Sequence, residues 1–217
     1  MPPAPSFSPC HPCYSAVVLA AGASRRMGAP KGLLPLEGRP ILQHVLEAAA
    51  ASGVFEIVLV VNPTVEARLG ELALPAGVPT RVVVNARESS GIGDSLGLGL
   101  AAARGDASAA VILLGDQPRV RPAVIERVAR AFEKSGKPCA RSVYSGAQLE
   151  HVPAHPVFVA RKLWPEVMAL SGGKGLAEWL SRHPENLQVV ECEGTPPGDI
   201  DTPCDYAAAC DAGPDPA

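Results

Sequence analysis

Val17-Val18-Leu19-Ala20-Ala21-Gly22-Ala23-Ser24-Arg25-Arg26-Met27-Gly28-Ala29-Pro30-Lys31 is the stretch that decides the fold. Val17, Val18 and Leu19 form a short apolar run of the kind found in a buried strand. The chain passes straight from it into small residues, Ala20 to Ser24, which leave the backbone bare. Gly22 and Gly28 allow backbone angles that other residues reach only at a cost. Successive N–H groups in such a turn form a concave anion site, and Arg25, Arg26 and Lys31 stand within a few residues of it. GxxxxGK[ST] is absent, so this is no Walker A loop, and Gly22 and Gly28 do not fit GxGxxG. On spacing alone two readings stand: a loop that grips phosphate, or an ordinary basic strand-to-helix connection.

Outward from this loop, apolar runs and helical periods alternate. Ile41, Leu42, Val45, Leu46 and Ala49 recur at helical spacing after a turn at 35–40. Further strands are expected at 56–61, 81–84, 109–114, 139–144, 157–160 and 187–192. Helices are expected at 65–72, 94–103, 122–133, 162–170 and 175–182, and after Pro203. Such alternation implies an α/β fold, a doubly wound, mostly parallel sheet in a single domain. Residues 15–210 would make that domain, with a disordered tail rich in Pro and Ser at 1–14 and a loose tail at 211–217. In open α/β sheets ligands bind beyond the carboxyl ends of the strands. The loops 20–31, 85–95 and 115–118 each follow a strand, so they should gather along one edge.

A chain of 217 residues can bury roughly 70% of its unfolded surface and needs no disulfide or structural metal to fold. Its net charge of −3, with both signs mixed along the chain, argues against a nucleic-acid surface or a polybasic membrane patch. Aromatic residues make up only 4%, too few for a platform that stacks single strands. No apolar run approaches the ~20 residues of a membrane span, and the first residues carry no secretory pattern. The six cysteines show no framework spacing, which fits a cytoplasmic location. Cys10 and Cys13 form a CxxC pair, but no second pair of ligands accompanies them, and they precede the first strand rather than follow it.

Four more stretches carry possible chemistry. Gly115-Asp116-Gln117-Pro118 ends a central strand; its Asp116 either helps hold Mg²⁺ over a substrate phosphate or belongs to a plain turn. In Ser90-Gly91-Ile92-Gly93-Asp94-Ser95-Leu96, Ser95 either caps a helix or lies where N–H groups meet a base or phosphate. Asp199-Ile200-Asp201-Thr202-Pro203 offers two alternating carboxylates for a metal, or else Asp201 or Thr202 as an N-cap ahead of Pro203. His155-Pro156 places a histidine that is either structural or part of a ligand site.

The opening stretch closely resembles LAxGxSxRMGxxK, the signature of the nucleotidyltransferases that build molybdenum cofactor dinucleotides. Four later segments match the same pattern in order: Gly91, Ser95 and Leu96 in a Gly-rich GxxxSL stretch; GDQP at 115–118; His155-Pro156-Val157-Phe158; and DIDTPxD from Asp199 to Asp205. The chain thus resembles the molybdenum cofactor cytidylyltransferases of the MobA-like NTP transferase superfamily. The resemblance implies a Rossmann-like fold of the nucleotide-diphospho-sugar transferase type and transfer of CMP from CTP to the terminal phosphate of molybdopterin-bound molybdenum. Arg26, Lys31 and Asp116 would be catalytic. Leu19, Ala20, Ala21, Gly22, Ala23, Ser24, Arg25, Arg26, Lys31, Asn62, Ser90, Gly91, Ser95 and Leu96 would contact the nucleotide. Asp116 with Asp201 or Asp199, Asp201 being favoured, would hold Mg²⁺, or Mn²⁺ in its place. His155, Pro156 and Lys174 would face the acceptor, and a molybdenum hydroxylase or its maturation factor would be the protein partner.

LAAG, with Ala21, and the GDQP form both go with cytosine in that family. Two departures lie on the acceptor side: Ala154 stands where Gly is usual, and Gly173 where an acidic residue is usual. They leave room for three other readings: a guanylyltransferase of the same cofactor, a transferase of the same fold acting on another phosphorylated small molecule, and a non-catalytic carrier of the cofactor.

Overall fold

The computed structural model describes residues 13–87, 91–144, 155–170 and 175–213. The expectations for Cys10, Ser90, Ala154, Gly173, Lys174 and most of the two tails fall outside these residues. Among the described residues, the principal strands are β1 (Tyr14–Ala20), β4 (Glu56–Val61), β5 (Thr80–Val84), β6 (Ala109–Leu114), β7 (Cys139–Tyr144), β8 (Val157–Ala160) and β9 (Leu187–Cys192). Two-residue strands β2 (Pro35–Leu36) and β3 (Arg39–Pro40) form a separate hairpin. Glu37 and Gly38 both have positive φ, as a two-residue hairpin loop of primed type requires.

The large sheet runs β5-β4-β1-β6-β8-β7-β9. β5, β4, β1 and β6 are parallel neighbours, and β7 and β9 are parallel to each other. β8 runs antiparallel to both β6 and β7. Val157, Phe158 and Val159 are buried on both faces, so the strand carries no alternation from which its direction could be read.

Helices close both faces. One face of the sheet packs on α1 (Ile41–Ala51) and α4 (Pro122–Ser135), through Leu42, Val45 and Leu46 of the first and Val124, Ile125 and Val128 of the second. The other face packs on α3 (Ile92–Ala102), α5 (Trp164–Met168) and α6 (Leu176–Arg182), through Leu96, Leu100, Trp164, Val167 and Leu176. Each such side chain contributes roughly 1.5–3 kcal/mol by leaving water. α4 ends on Gly136 with φ 64°, a left-handed C-cap.

The expected helix at 65–72 is instead α2 (Pro63–Glu66) followed by a 3-10 turn, Leu69–Glu71. Asn62 explains its early start: the side chain caps α2 by accepting from Val65 N–H at 2.9 Å. α3 likewise begins at Ile92, two residues before the expected start, with Gly91 at the N-cap. Ser95 therefore is not the cap; it is buried within the first turns, and its hydroxyl accepts from Asn85 Nδ2 at 3.0 Å. The last helix, α7 (Pro203–Asp211), has Thr202 as N-cap, with Thr202 and Asp205 in a reciprocal capping box. Among the described residues no helix is long and apolar enough to cross a membrane.

Candidate active site

β1 delivers the loop 21–30 from the middle of the sheet, and β6, its parallel neighbour, delivers Gly115-Asp116 beside it. The ladder continues into the loops: Gly115 N–H donates to Leu19 C=O at 2.9 Å. Gly115 is obligatory here for space. A Cβ at this position would lie 2.8 Å from Ala20 Cβ, 3.0 Å from Leu42 Cδ1 and 3.2 Å from the Leu19 carbonyl. Only a bare backbone lets Asp116 come so close to the β1 loop.

The loop is shaped by its own hydrogen bonds. Ser24, at φ 48°, accepts from Met27 N–H through its carbonyl at 2.9 Å and from Lys31 N–H through its hydroxyl at 3.2 Å. Gly28 has φ 66° with open space where a Cβ would stand, so its demand is conformational. Asn62 Nδ2 donates to Gly22 C=O at 3.0 Å and ties the loop to the end of β4. Asn62 thus supports the loop from behind and lines neither recess described below.

A cavity of about 190 Å³ opens at this edge. Leu19, Ala20, Ala21, Gly22, Ser24, Lys31, Gly91, Ser95 and Asp116 all line it. An adjoining recess is lined by Gly22, Ala23, Ser24, Arg25, Arg26, Lys31 and Asp201. Leu96 lies elsewhere, in the wall of a second cavity that also holds His155. Val65 and Ile92 line the first cavity without having been singled out in the sequence. Apolar residues at a helix end or on an exposed turn carry no signal that separates them from packing positions.

Charge converges at the mouth of the cavity from three distant parts of the chain. Lys31 Nζ donates to Asp116 Oδ2 at 2.5 Å and to Asp201 Oδ1 at 2.7 Å. Arg26 donates to Asp201 Oδ2 at 2.8 Å. The tail segment is tied in by its backbone: Ile200 N–H donates to Asp116 C=O at 3.0 Å. Ile200 turns into an apolar cluster with Leu36 and Ile41, while the carboxylates on either side of it face polar partners. Asp199 accepts from Gln117 Nε2 at 2.7 Å, and neither residue lines the cavity or the recess.

The electrostatics follow from these contacts. Burial acts to lower the Lys31 pKa, but the charge of Asp116 and hydrogen bonds to both carboxylates outweigh it and raise it. The hydrogen bond from Lys31 leads the causes that hold Asp201 below the usual carboxylate range, with Arg26 assisting. Asp199 is pushed up, first by burial and then by the charges of Asp116 and Asp201, against the opposing hydrogen bond from Gln117. His155 is pushed down by burial; its Nδ1 faces the Ile112 carbonyl at 3.1 Å.

A divalent cation suits this donor set. Asp116 Oδ1 is buried and has no hydrogen-bond partner, an unusual state for a carboxylate oxygen. Among the described residues no group of three or more His, Cys, Asp or Glu converges as a closed metal cage. One or two carboxylates completed by substrate phosphates is the arrangement Mg²⁺ and Mn²⁺ favour.

A mostly parallel α/β sheet with an anion-shaped loop, a half-buried lysine and paired carboxylates at its carboxyl edge defines a nucleotidyltransferase architecture. The chain belongs to the MobA-like NTP transferase family, whose domain model matches residues 16–187. It is 32% identical over 196 residues to the nicotine blue oxidoreductase of Paenarthrobacter nicotinovorans, covering 88% of this chain and 93% of that one. It is 32% identical over 205 residues to the purine catabolism protein PucB of Bacillus subtilis, covering 90% and 95%. Among solved structures, Rv0371c of Mycobacterium tuberculosis in complex with manganese superposes with a TM-score of 0.76 at 28% identity, covering 92% of this chain and 98% of that one.

Proposed function

We propose that this protein transfers CMP from CTP to the terminal phosphate of a molybdopterin-type cofactor, with release of pyrophosphate. The observation that carries the reading is the meeting of Lys31, Asp116 and Asp201 at the mouth of the glycine-lined cavity, with Asp116 Oδ1 left unpartnered. Membership of the NTP transferase family supports the reaction class, and the manganese complex of Rv0371c supports a divalent cation. The cytosine preference and the acceptor rest on the resemblance of LAAG and GDQP to the cytidylyl branch.

In this reading, backbone N–H groups of residues 20–24 with Arg25 and Arg26 hold the β- and γ-phosphates, and Gly91 and Ser95 border the nucleoside. Lys31 faces the α-phosphate. Asp116 and Asp201 would hold Mg²⁺, which when bound offsets the negative charge of the triphosphate and of the leaving pyrophosphate. Asp199, held by Gln117, supports this pair from behind. An acceptor phosphate oxygen attacks the α-phosphorus, and the bond from that phosphorus to the oxygen bridging it to the β-phosphate breaks. The attacking group is already ionised at neutral pH, so no general base is required. The protein's work is to place two anions that repel each other and to offset their charge.

The test is pyrophosphate release with each of the four NTPs, with and without molybdenum cofactor, and with the divalent cation removed by chelator. Release that requires CTP, cofactor and cation together is the expected result. GTP in place of CTP would make it a guanylyltransferase, and binding of the cofactor without release under any NTP would make it a carrier. A second reading comes from the name of one relative, nicotine blue oxidoreductase. A nicotinamide dinucleotide also carries a pyrophosphate that the same loop would suit. Hydride transfer from a reduced nicotinamide dinucleotide to a quinonoid dye supplied as acceptor, without pyrophosphate release, would favour it.

A further inference from the structure

β4 and β5 are parallel neighbours whose last residues pair, Val61 with Val84, and each strand is followed at once by an asparagine. Asn62 and Asn85 therefore stand side by side on the edge that carries the cleft. Asn62 ties the β1 loop through the Gly22 carbonyl. Asn85 bonds instead to α3, through Ser95. Its backbone N–H continues the ladder by donating to Val61 C=O at 2.8 Å, and the residue is buried, 2% exposed. It does not line the nucleotide cavity, whereas Ser95 does. A buried amide is costly unless its polar atoms find partners.

Those partners fix which way the amide points. Arg87 N–H donates to one side-chain atom at 3.2 Å, and a backbone N–H can only donate, so that atom is the oxygen Oδ1. Nδ2 is then the atom 3.0 Å from Ser95 Oγ, and it too can only donate. The serine oxygen is thus the acceptor in this bond, and its single proton must point elsewhere. The usual outlet for a serine within a helix is the carbonyl four residues back. Here that carbonyl, Gly91 C=O, accepts the Ser95 backbone N–H, and among the described residues the Ser95 hydroxyl donates to nothing. Its proton is left for whatever fills the cavity.

We infer that Asn85 is a positioning residue for nucleoside recognition: it holds the Ser95 hydroxyl as a hydrogen-bond donor to an oxygen of the nucleoside. The inference rests on the cleft being a nucleoside triphosphate site. That oxygen belongs to a ribose hydroxyl or a base carbonyl, which are equivalent partners for this proton. An aspartate at position 85 would be nearly isosteric but, once ionised, could only accept. It would draw the serine proton to itself and turn lone pairs towards the nucleoside. The polarity of the contact is thus set by a side chain outside the cavity wall.

Calorimetric titration of the full chain with each of the four NTPs and Mg²⁺, without acceptor, tests it. The pH is held at 8 to keep an aspartate at position 85 ionised, and the variants are scored with the NTP that wild type binds tightest. Ser95→Ala and Asn85→Asp should each weaken its binding about tenfold, the worth of one hydrogen bond whose partner is left unsatisfied. The double variant should bind no more weakly than Asn85→Asp alone, because both changes remove the same interaction. Inorganic pyrophosphate with Mg²⁺ should bind Asn85→Asp as it binds wild type, which a general collapse of the site would not allow. With the 2′-deoxy NTP the penalties vanish if the partner is the ribose hydroxyl and persist if it is a base carbonyl; either result supports the inference. Losses that multiply in the double variant, wild-type affinity in Asn85→Asp, or an equal loss of pyrophosphate binding overturns it. If Asn85→Asp does not fold, Asn85→Ala takes its place under the same criteria, with a smaller loss expected because the hydroxyl is freed to turn. Failure of wild type to bind any NTP is a separate outcome: it removes the nucleotidyl-transfer reading, and the inference with it.

Discussion

Lys31 is where the site's electrostatics are settled. Its ammonium sits between two carboxylates that would otherwise repel each other, one from each of two distant loops. Lys31→Ala and Asp116→Ala should each lower the rate of pyrophosphate release by on the order of 10²-fold or more, as loss of a preorganised charged group does, with the circular dichroism spectrum unchanged. The two tail aspartates should separate by pH. Folding raises the Asp199 pKa, so this residue favours the folded state while protonated, and its contribution fades as pH rises from the ordinary carboxylate range through the raised value. Asp201 has the opposite sign: its pKa is lowered on folding, and its contribution is lost only as pH falls through that lowered value. Asp199→Asn should therefore raise the melting temperature at pH 7 relative to wild type and make no such difference near pH 3, in paired thermal melts. Arg141 shows the limit of reading residues singly. In Cys139-Ala140-Arg141-Ser142-Val143-Tyr144 it resembles any cation on a solvent-facing strand, and only the structure shows that it lines a cavity with Leu176 and Leu180 of α6 while its Nε is buried.

Among elements, α7 ties stability to function through its first turn. Asp205 accepts from Thr202 N–H at 2.7 Å, from the Thr202 hydroxyl at 2.9 Å and from Asp201 N–H at 3.1 Å. The carboxylate that caps the helix also fixes the backbone of the residue that meets Lys31 and Arg26. Asp205→Ala should lower stability, because it removes the N3 half of the capping box, as a lower urea midpoint would show. It should also lower turnover several-fold with a higher requirement for divalent cation, an effect that a cap remote from the site would not have. Strands and helices with strong apolar patterns were legible in advance: β4, β6 and α4 lie close to their expected bounds. The starts of α2 and α3 were not, because each depends on a local competition. Asn62 captures one N-terminus, and Gly91 leaves the other to the Asp94 carboxylate, which accepts from Gly91 N–H at 2.9 Å. The direction of β8 was hidden for a different reason: a strand buried on both faces reads the same from either end.

At the scale of the whole molecule, four of the described cysteines divide by layer, with Cys13 between the two groups. Cys139 and Cys192 lie inside the fold, whereas Cys204 and Cys210 are exposed on α7. Burial is the main cause that pushes the Cys139 thiol up to about 12, which keeps it protonated and inert. In a native sample at pH 8, a thiol reagent should label Cys204 and Cys210 rapidly and reach Cys139 and Cys192 only after denaturation, as peptide mass mapping would record. The same layering explains how much of the site the sequence disclosed. Loops after β1 and β6 were placed together by the rule that ligands gather at the carboxyl edge of parallel strands, and the two strands are indeed neighbours. That Asp201 joins them depends on the path of the segment between β9 and α7, which no periodicity describes. Its place is fixed by Ile200, whose N–H bonds Asp116 and whose side chain is buried against Leu36 and Ile41.

That path makes the charge cluster a reporter of tertiary order. Lys31 lies 85 residues from Asp116 and 170 from Asp201 along the chain, so none of these ion pairs can form within a locally folded fragment. Displacing the segment between β9 and α7 would leave the lysine with one carboxylate to answer instead of two, and Arg26 without its aspartate.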